Sequence, residues 1–425
     1  MKHEISWVAV SLALGPRSHL LKPLLHHFQT PEALLAAGRE KILAAFPDIG
    51  KGILASLCSE NTLRSAERTV YWCHQNGVRI LVPDGKDYPS GLWQIAEPPA
   101  VLYCKGKLPL PSGIPSVGIV GTRRADAYGE RVAYKLSFEL AAAGATVVSG
   151  MAQGADGIAA AAALDAGGHT VAVLGSGIDV IYPRQHERLF REIATFGTVL
   201  TEFAPGTRPN GWNFPVRNRL ISALSDALVV TEAKEDSGSL ITARYALVQG
   251  KTLFAVPGDV DNPRSVGTNG LIRSGALMAL NAEDVLVHFR FLYPQLQTAR
   301  VPAEAMQYTE VTAEKLRVHG VSSVLDKETA QMEKTTKIDT VSVHSEENSA
   351  KPRTVEEAPA AVSQAALQML DPRQRELYEL LPDGVFSLDY LTAQGVPSGE
   401  AAAALTILEL YGILQSCPGG TYRKS

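Results

Sequence analysis

The chain is predicted to be an α/β protein built on a Rossmann-like, doubly wound, mostly parallel sheet. An N-terminal helical domain and a C-terminal winged-helix domain flank it. Three observations predict this. Seven short apolar runs alternate with helical patterns between residues 117 and 280. The runs end in Gly- and Ser-rich turns. The sequence on either side changes character, to helical periodicity before and to polar, then ordered, sequence after.

The strand candidates are Val117–Val120, Thr146–Ser149, Thr170–Leu174, Thr198–Phe203, Ala227–Thr231, Thr252–Val256 and Ala276–Leu280. Between them lie helical patterns at 127–143, 156–166, 184–195, 216–224, 239–249 and 268–274. Continuous apolar strands with helical crossovers are buried on both faces, which is the signature of a parallel sheet. Two further strand-like stretches, Val78–Val82 and Ala100–Tyr103, precede this alternation and complete an expected domain at 78–295.

Residues 1–77 place apolar side chains at three- and four-residue spacing, as in Leu20, Leu21, Leu24, Leu25 and Phe28. Thr30-Pro31-Glu32 reads as a helix start, with Thr as the cap. The turn Phe46–Ile53 fits either a helix-hairpin-helix (SAM-like) unit or a plain bundle. Residues 296–368 are polar and read as a flexible linker. In 369–425, helical stretches at Asp371–Leu381, Ser387–Ala393 and Ser398–Tyr411 precede a hairpin around Cys417–Gly420, the pattern of a winged helix.

Composition excludes several classes. With 45% hydrophobic and 20% charged residues the chain is of ordinary globular type. It offers no apolar run of the roughly 18 residues a membrane span needs, and its opening, with Glu4, lacks a signal-peptide pattern. Cys58, Cys73, Cys104 and Cys417 form no C-x-x-C pair, so neither a zinc module nor a disulfide framework is expected and a cytoplasmic setting fits. No metal, cofactor or catalytic constellation is predicted. The net charge of −4 does not point to nucleic acid, but its distribution does. Pro205–Leu220 holds Arg208, Arg217 and Arg219 with no acid.

The candidate binding residues cluster at strand ends. Gly121, Thr122 and Arg123 form a turn feeding a helix, where free amides and a guanidinium suit an anion. Ser149, Gly150 and Gly154 follow the second strand, with Asp156 as an expected cap, and Gly175 follows the third. Arg217 and Arg219 flank Asn218 and point to different sides of a helix, one suited to a phosphate and the other to an internal ion pair. Phe214, beside Trp212, suits either base stacking or the core. Ser237, Gly238 and Ser239 open another helix.

In order and spacing, these strings over about residues 80–290 resemble the DprA/Smf family: Gly121–Arg123 with Tyr128-Gly129, Ser149–Asp156, Ala172–Gly175 with Tyr182-Pro183, Phe214–Arg219, Ser237–Arg244 and Val256–Gly258. The resemblance implies a homodimer that binds and protects single-stranded DNA and delivers it to the RecA recombinase in natural transformation. It implies no enzymatic activity. Four positions depart from the usual family pattern: Asp126 for Ser, Gln153 for Arg, Ala160-Ala161 for Ala-His and His186 for Asn. The acid and the missing arginine imply a weakened phosphate site. The rival class is a nucleoside-monophosphate phosphoribohydrolase of the lysine-decarboxylase-like fold. It requires Pro-Gly-Gly-x-Gly-Thr where this chain reads Glu235–Leu240.

Overall fold

The computed structural model describes residues 1–108, 113–293, 313–324, 372–394, 396, 405, 408, 413–417 and 421–424. They belong to two compact units, Met1–Asp339 and Thr340–Ser425. No helix among the described residues is long and apolar enough to cross a membrane.

The first unit opens with six helices: α1 (Lys2–Leu14), α2 (Leu21–Phe28), α3 (Pro31–Ala36), α4 (Gly38–Ala45), α5 (Lys51–Leu57) and α6 (Glu60–Gln75). The Thr30 hydroxyl accepts from the Ala33 amide and Pro31 takes the first helical position, as the sequence predicts. Trp7, Val8, Ala9 and Val10 are buried in succession on α1. A helix buried on consecutive positions is surrounded, and α3, α5 and α6 pack around it.

A nine-stranded sheet follows. Its strands are β1 (Arg79–Leu81), β2 (Leu102–Gly106), β3 (Ser116–Val120), β4 (Thr146–Ser149), β5 (Thr170–Val173), β6 (Thr198–Thr201), β7 (Ala227–Val230), β8 (Thr252–Ala255) and β9 (Leu277–Met278). The seven strands expected from residue 117 onward all form, within two residues of their predicted ends. The intervening helices are α7 (Ser90–Gln94), α8 (Ala127–Ala142), α9 (Ala155–Asp165), α10 (Glu187–Phe196), α11 (Asn213–Ala223), α12 (Gly238–Val248), α13 (Val266–Arg273) and α14 (Ala282–Phe289).

The strand order is β1-β2-β6-β5-β4-β3-β7-β8-β9. Pairing is parallel from β6 to β9, while β2 runs antiparallel to β6 and β1 to β2. The chain builds outward from β3 to β6, then returns to lay β7 on the other side of β3. That reversal leaves a crevice at the carboxyl ends of β3 and β7, where ligands of doubly wound sheets bind.

Alternation along each strand sorts side chains between the two faces. Val148, Leu228 and Val230 face one core with Leu220 and Ala243 of α11 and α12. Val147, Ala227 and Val229 face another with Leu136 and Leu140 of α8. A third cluster joins Trp7, Val10 and Leu54 of the N-terminal helices to Tyr134, Ile158, Leu189, Ala172 and Val199 of the α/β body. Residues 1–77 therefore share a core with that body.

Two sequence expectations change. The stretch read as a linker contains a docked segment: α15 (Ala313–Val318) and the following residues to 324 pack on the first unit. Leu316 and Val321 are fully buried there, so its apolar anchors are too few to register in composition. Asp156 is not the cap of α9; Gly154 occupies that place, and Asp156 is buried one residue into the helix.

The second unit contains α16 (Pro372–Glu379), α17 (Leu388–Ala393) and a three-stranded sheet ordered β10-β12-β11, from Phe386–Ser387, Thr421–Lys424 and Leu414–Cys417. The expected hairpin forms with Leu414 opposite Lys424 and Cys417 opposite Thr421. Leu377, Phe386, Leu391, Leu405, Leu408 and Ile413 form its core. The expected helix at 398–411, those two leucines apart, lies outside the described residues, as does most of 296–368.

Candidate nucleic-acid interface

The carboxyl ends of β3 and β7 open into a cleft of about 740 Å³. Arg123, Arg124, Arg217, Lys234 and Arg264 line it against only Asp156 and Asp236. Burial raises the carboxyl of Asp156 above its ordinary value, with the Arg217 charge opposing. The cleft is thus built for an anion.

Its first wall is the turn after β3. The Thr122 amide donates to the Glu232 carbonyl (2.8 Å) and the Thr122 carbonyl accepts from Ala155 (3.2 Å), so the backbone is fixed. Arg123 projects from it, exposed, with its guanidinium carbon 4.9 Å from the centre of the Phe214 ring. Among the described residues no carboxylate pairs with it. Asp126 does not intrude on this wall. One carboxylate oxygen accepts from the Gly129 amide (2.9 Å) as the cap of α8, and the other accepts from Asn262 (3.1 Å). The weakening expected from an acid here is therefore met by using it as a helix cap.

Beneath lies Glu232, whose carboxylate accepts from the Asp126 amide (3.3 Å) and stands 3.7 Å from Arg264. Burial first, and then the Asp126 charge, push its carboxyl up to about 7.

The floor is the loop after β4. Gly154 has φ +71°, and a Cβ there would stand 2.3 Å from the Thr122 carbonyl, so only glycine lets the two loops meet. Ser149 donates to the Ile119 carbonyl (2.7 Å) and Gly150 accepts from Arg217 (2.7 Å). His186, whose imidazole burial pulls below its ordinary value, donates from Nδ1 to the Met151 carbonyl (3.1 Å) and holds this loop from below. His186, which stands where Asn is usual, and Ala160 and Ala161 are all buried.

The second wall is α11. Phe214 is half-buried and belongs to none of the hydrophobic cores. Its ring rests on Gly175, where a Cβ would come within 2.8 Å, and lies 5.4 Å from the Tyr182 ring. Arg217 is buried, bonded to the Gly150 and Val173 carbonyls and to Asn218 (3.1 Å). Burial lowers its guanidinium to about 10. It presents charge to the cleft from a fixed position. Asn218 reaches the Gly238 carbonyl (3.4 Å) and ties α11 to α12. The Ser237 hydroxyl accepts from the Ser239 amide (3.4 Å), capping α12, so the positive end of that helix meets the cleft.

Nine of the predicted residues line the cleft: Gly121, Thr122, Arg123, Phe214, Arg217, Asn218, Ser237, Gly238 and Ser239. Ser149, Gly150, Gly154 and Gly175 support it from beneath. Arg219 is a correction: it is 2% exposed and makes a bidentate pair with Glu202 (2.6 and 2.7 Å), away from the cleft. Arg124, Lys234 and Arg264 line the cleft without being predicted, and the half-exposed Tyr182 lines it too, named in the sequence only as part of the family pattern. Their signal is positional, since Lys234 and Arg264 follow the carboxyl ends of β7 and β8.

Known proteins resemble the chain over this part of its length. The model of the family described as DNA recombination-mediator protein A matches residues 79–290. Protein Smf of Synechocystis is 38% identical over 283 residues, 66% of this chain and 71% of that protein. DNA processing protein DprA of Bacillus subtilis is 41% identical over 236 residues, 56% of this chain and 75% of that one. The crystal structure of DprA from Streptococcus pneumoniae aligns with a TM-score of 0.50 at 32% identity, covering 60% of this chain and 92% of that one. The chain therefore belongs to the DprA/Smf family of DNA recombination mediators.

Proposed function

We propose that the cleft is a track for single-stranded DNA, and that the protein uses it to hold DNA for recombination during natural transformation. The observation that carries this reading is the pairing of cations with an accessible aromatic. Five cationic side chains face two acids, and Phe214 with Tyr182 offers ring surface beside them. Backbone-holding charge next to stacking platforms is what unpaired strands require. Family membership supports the same role, and with it delivery of the strand to RecA, action as a homodimer in the cytoplasm, and binding without chemistry or cofactor. The helices of residues 1–77 fit a helix-hairpin-helix (SAM-like) unit within this scheme, and the C-terminal unit fits a winged helix. The basic residues of its hairpin are engaged internally, Arg423 with Gln415 (3.0 Å) and Lys424 with Asp383 (3.3 Å), which favours a role other than gripping DNA.

The test is a salt titration of binding to a labelled single-stranded oligonucleotide by fluorescence anisotropy. Arg123→Ala is expected to weaken binding equally across sequences and to reduce the slope of log K against log salt by about 0.7. A folded variant with unchanged affinity and slope removes Arg123 from the track. Failure of the wild-type protein to bind single strands overturns the reading.

A further inference from the structure

Residues 313–324 lie along the outer face of helices α8, α9 and α10, and each part of the segment is held separately. Leu316 and Val321 are fully buried in the core that those helices share. Gly320 turns the chain at φ +74°, so close to the body that a Cβ there would stand 2.9 Å from the Gln185 carbonyl. Beyond it, the Ser323 hydroxyl donates to one oxygen of the buried Glu130 carboxylate (2.6 Å) and the Val324 amide to the other (2.9 Å). Between these anchors sits His319. Its Nδ1 is 2.5 Å from Glu192 Oε2 on α10, and its Nε2 is 2.8 Å from Asp165 Oδ1 at the end of α9.

We propose that residues 313–324 are a strap that docks on the α8–α10 face when His319 carries its second proton and comes off that face when the proton leaves.

The argument is one of donors and acceptors. An ionised carboxylate only accepts, and a neutral imidazole has a single N–H. Both observed contacts are satisfied together only by the imidazolium. Once the proton leaves, a ring lone pair faces a carboxylate oxygen at hydrogen-bond distance, with the side chain only 9% exposed. Neither carboxylate can turn elsewhere without loss. The second oxygen of Asp165 accepts from the Tyr134 hydroxyl on α8 (2.6 Å), and that of Glu192 accepts from Arg188 on α10 (3.0 Å). Other charges on the packed elements include Glu130 on α8, already bonded to the strap, and on α15 Lys315, whose ammonium lies 5.7 Å from the Tyr134 ring, and Arg317, whose Nε donates to the Ala313 carbonyl (3.4 Å). Burial by itself pulls the histidine down. The bonds to Asp165 and Glu192 and their charges outweigh it, and the net direction is above the ordinary 6.5. A raised histidine pKa places the stabilisation on the acid side: docking is complete below the ordinary value and is lost as pH rises through the raised one.

Hydrogen–deuterium exchange on the full chain tests this, with intrinsic rates corrected, from about pH 5.5 to about pH 9 so as to bracket ordinary histidine titration. Peptides within 313–324 are expected to lose protection by about tenfold or more across that range, while peptides of β3 to β8 keep theirs. His319→Gln is expected to show low strap protection at every pH. Gly320→Val, which cannot make the close turn, gives the reference for an undocked strap at all pH values. The double variant Asp165→Asn, Glu192→Gln is expected to lose the release with rising pH, because a carboxamide donates as well as accepts and so pairs with either face of the neutral ring. Strap protection that is flat with pH in the wild type overturns the proposal. So does a wild-type profile in His319→Gln, or a double variant that still releases with rising pH. The readout needs no DNA, so its outcome is independent of the function proposed for the cleft.

Discussion

Arg219 and Arg123 both belong to the basic stretches visible in the sequence, yet the structure gives them opposite consequences when removed. Arg219→Ala deletes a guanidinium that donates twice to Glu202 and once to the Glu97 carbonyl (3.1 Å). Glu202 is itself buried, so the variant leaves an uncompensated carboxylate in the interior beside an empty volume. Breaking one side of such a pair costs about 3–5 kcal/mol. For a unit as long as Met1–Asp339, an unfolding entropy of about 2.1 cal/mol/K per residue makes each kcal/mol worth about 1.4 °C of melting temperature, so a fall of roughly 4–7 °C is expected. The assay is thermal melting by circular dichroism, run beside single-strand binding well below the lowered midpoint. Affinity there is expected to stay within about threefold of wild type, under about 0.7 kcal/mol. Arg219→Met with Glu202→Leu should recover most of the lost stability, because an apolar pair of similar volume carries no desolvation cost. Normal melting combined with lost DNA binding would refute this reasoning and return Arg219 to the DNA track.

Three further outcomes follow from the geometry. Phe214→Ala should lower single-strand affinity roughly ten- to a hundredfold, from a stack worth about 1–3 kcal/mol, with little change in melting; a melting loss that accompanies loss of both single- and double-strand binding would identify it as structural instead. Glu232→Gln should stabilise the protein in chemical denaturation at about pH 8 and not at about pH 4. Its raised carboxyl destabilises the fold increasingly as pH climbs from the ordinary 4.5 to about 7, a penalty on the order of 3 kcal/mol once fully ionised; equal effects at both pH values would contradict this. A protein ending at Asp339, the boundary of the first compact unit, should keep single-strand affinity within a fewfold, and a folded truncation that no longer binds would move the DNA site to the C-terminal unit.

The parallel body was legible because its strands are buried on both faces, and burial of that kind is written as an unbroken apolar run. In β7, Ala227, Leu228, Val229 and Val230 are all fully buried. The Gly and Ser turns that follow such runs then marked the ligand side. What remained open was decided by tertiary partners. The two-residue spacing of Arg217 and Arg219 separates their directions, but only the position of Glu202, just past the end of β6, settles which one pairs internally. Helix α11 begins at Asn213, three residues before the predicted 216, because Pro215 is tolerated in a first turn whose amides need no helical partner. The strap was illegible for a different reason. Its hold depends on Leu316, Val321 and a histidine set between Glu192 and Asp165, which lie 127 and 154 residues away along the chain. No local pattern encodes that.

The core shared by the N-terminal helices and the α/β body has a consequence for synthesis. Trp7, Val10 and Leu54 belong to one cluster with Val199 of β6. The helical segment ends at Gln75 and β6 begins only at Thr198. At about 5–20 residues per second, the first helices wait on the order of 6–24 s for that last partner strand to emerge from the ribosome. Until it does, the shared core that also holds Ile80, Tyr103, Tyr134 and Ala172 stays incomplete on the nascent chain.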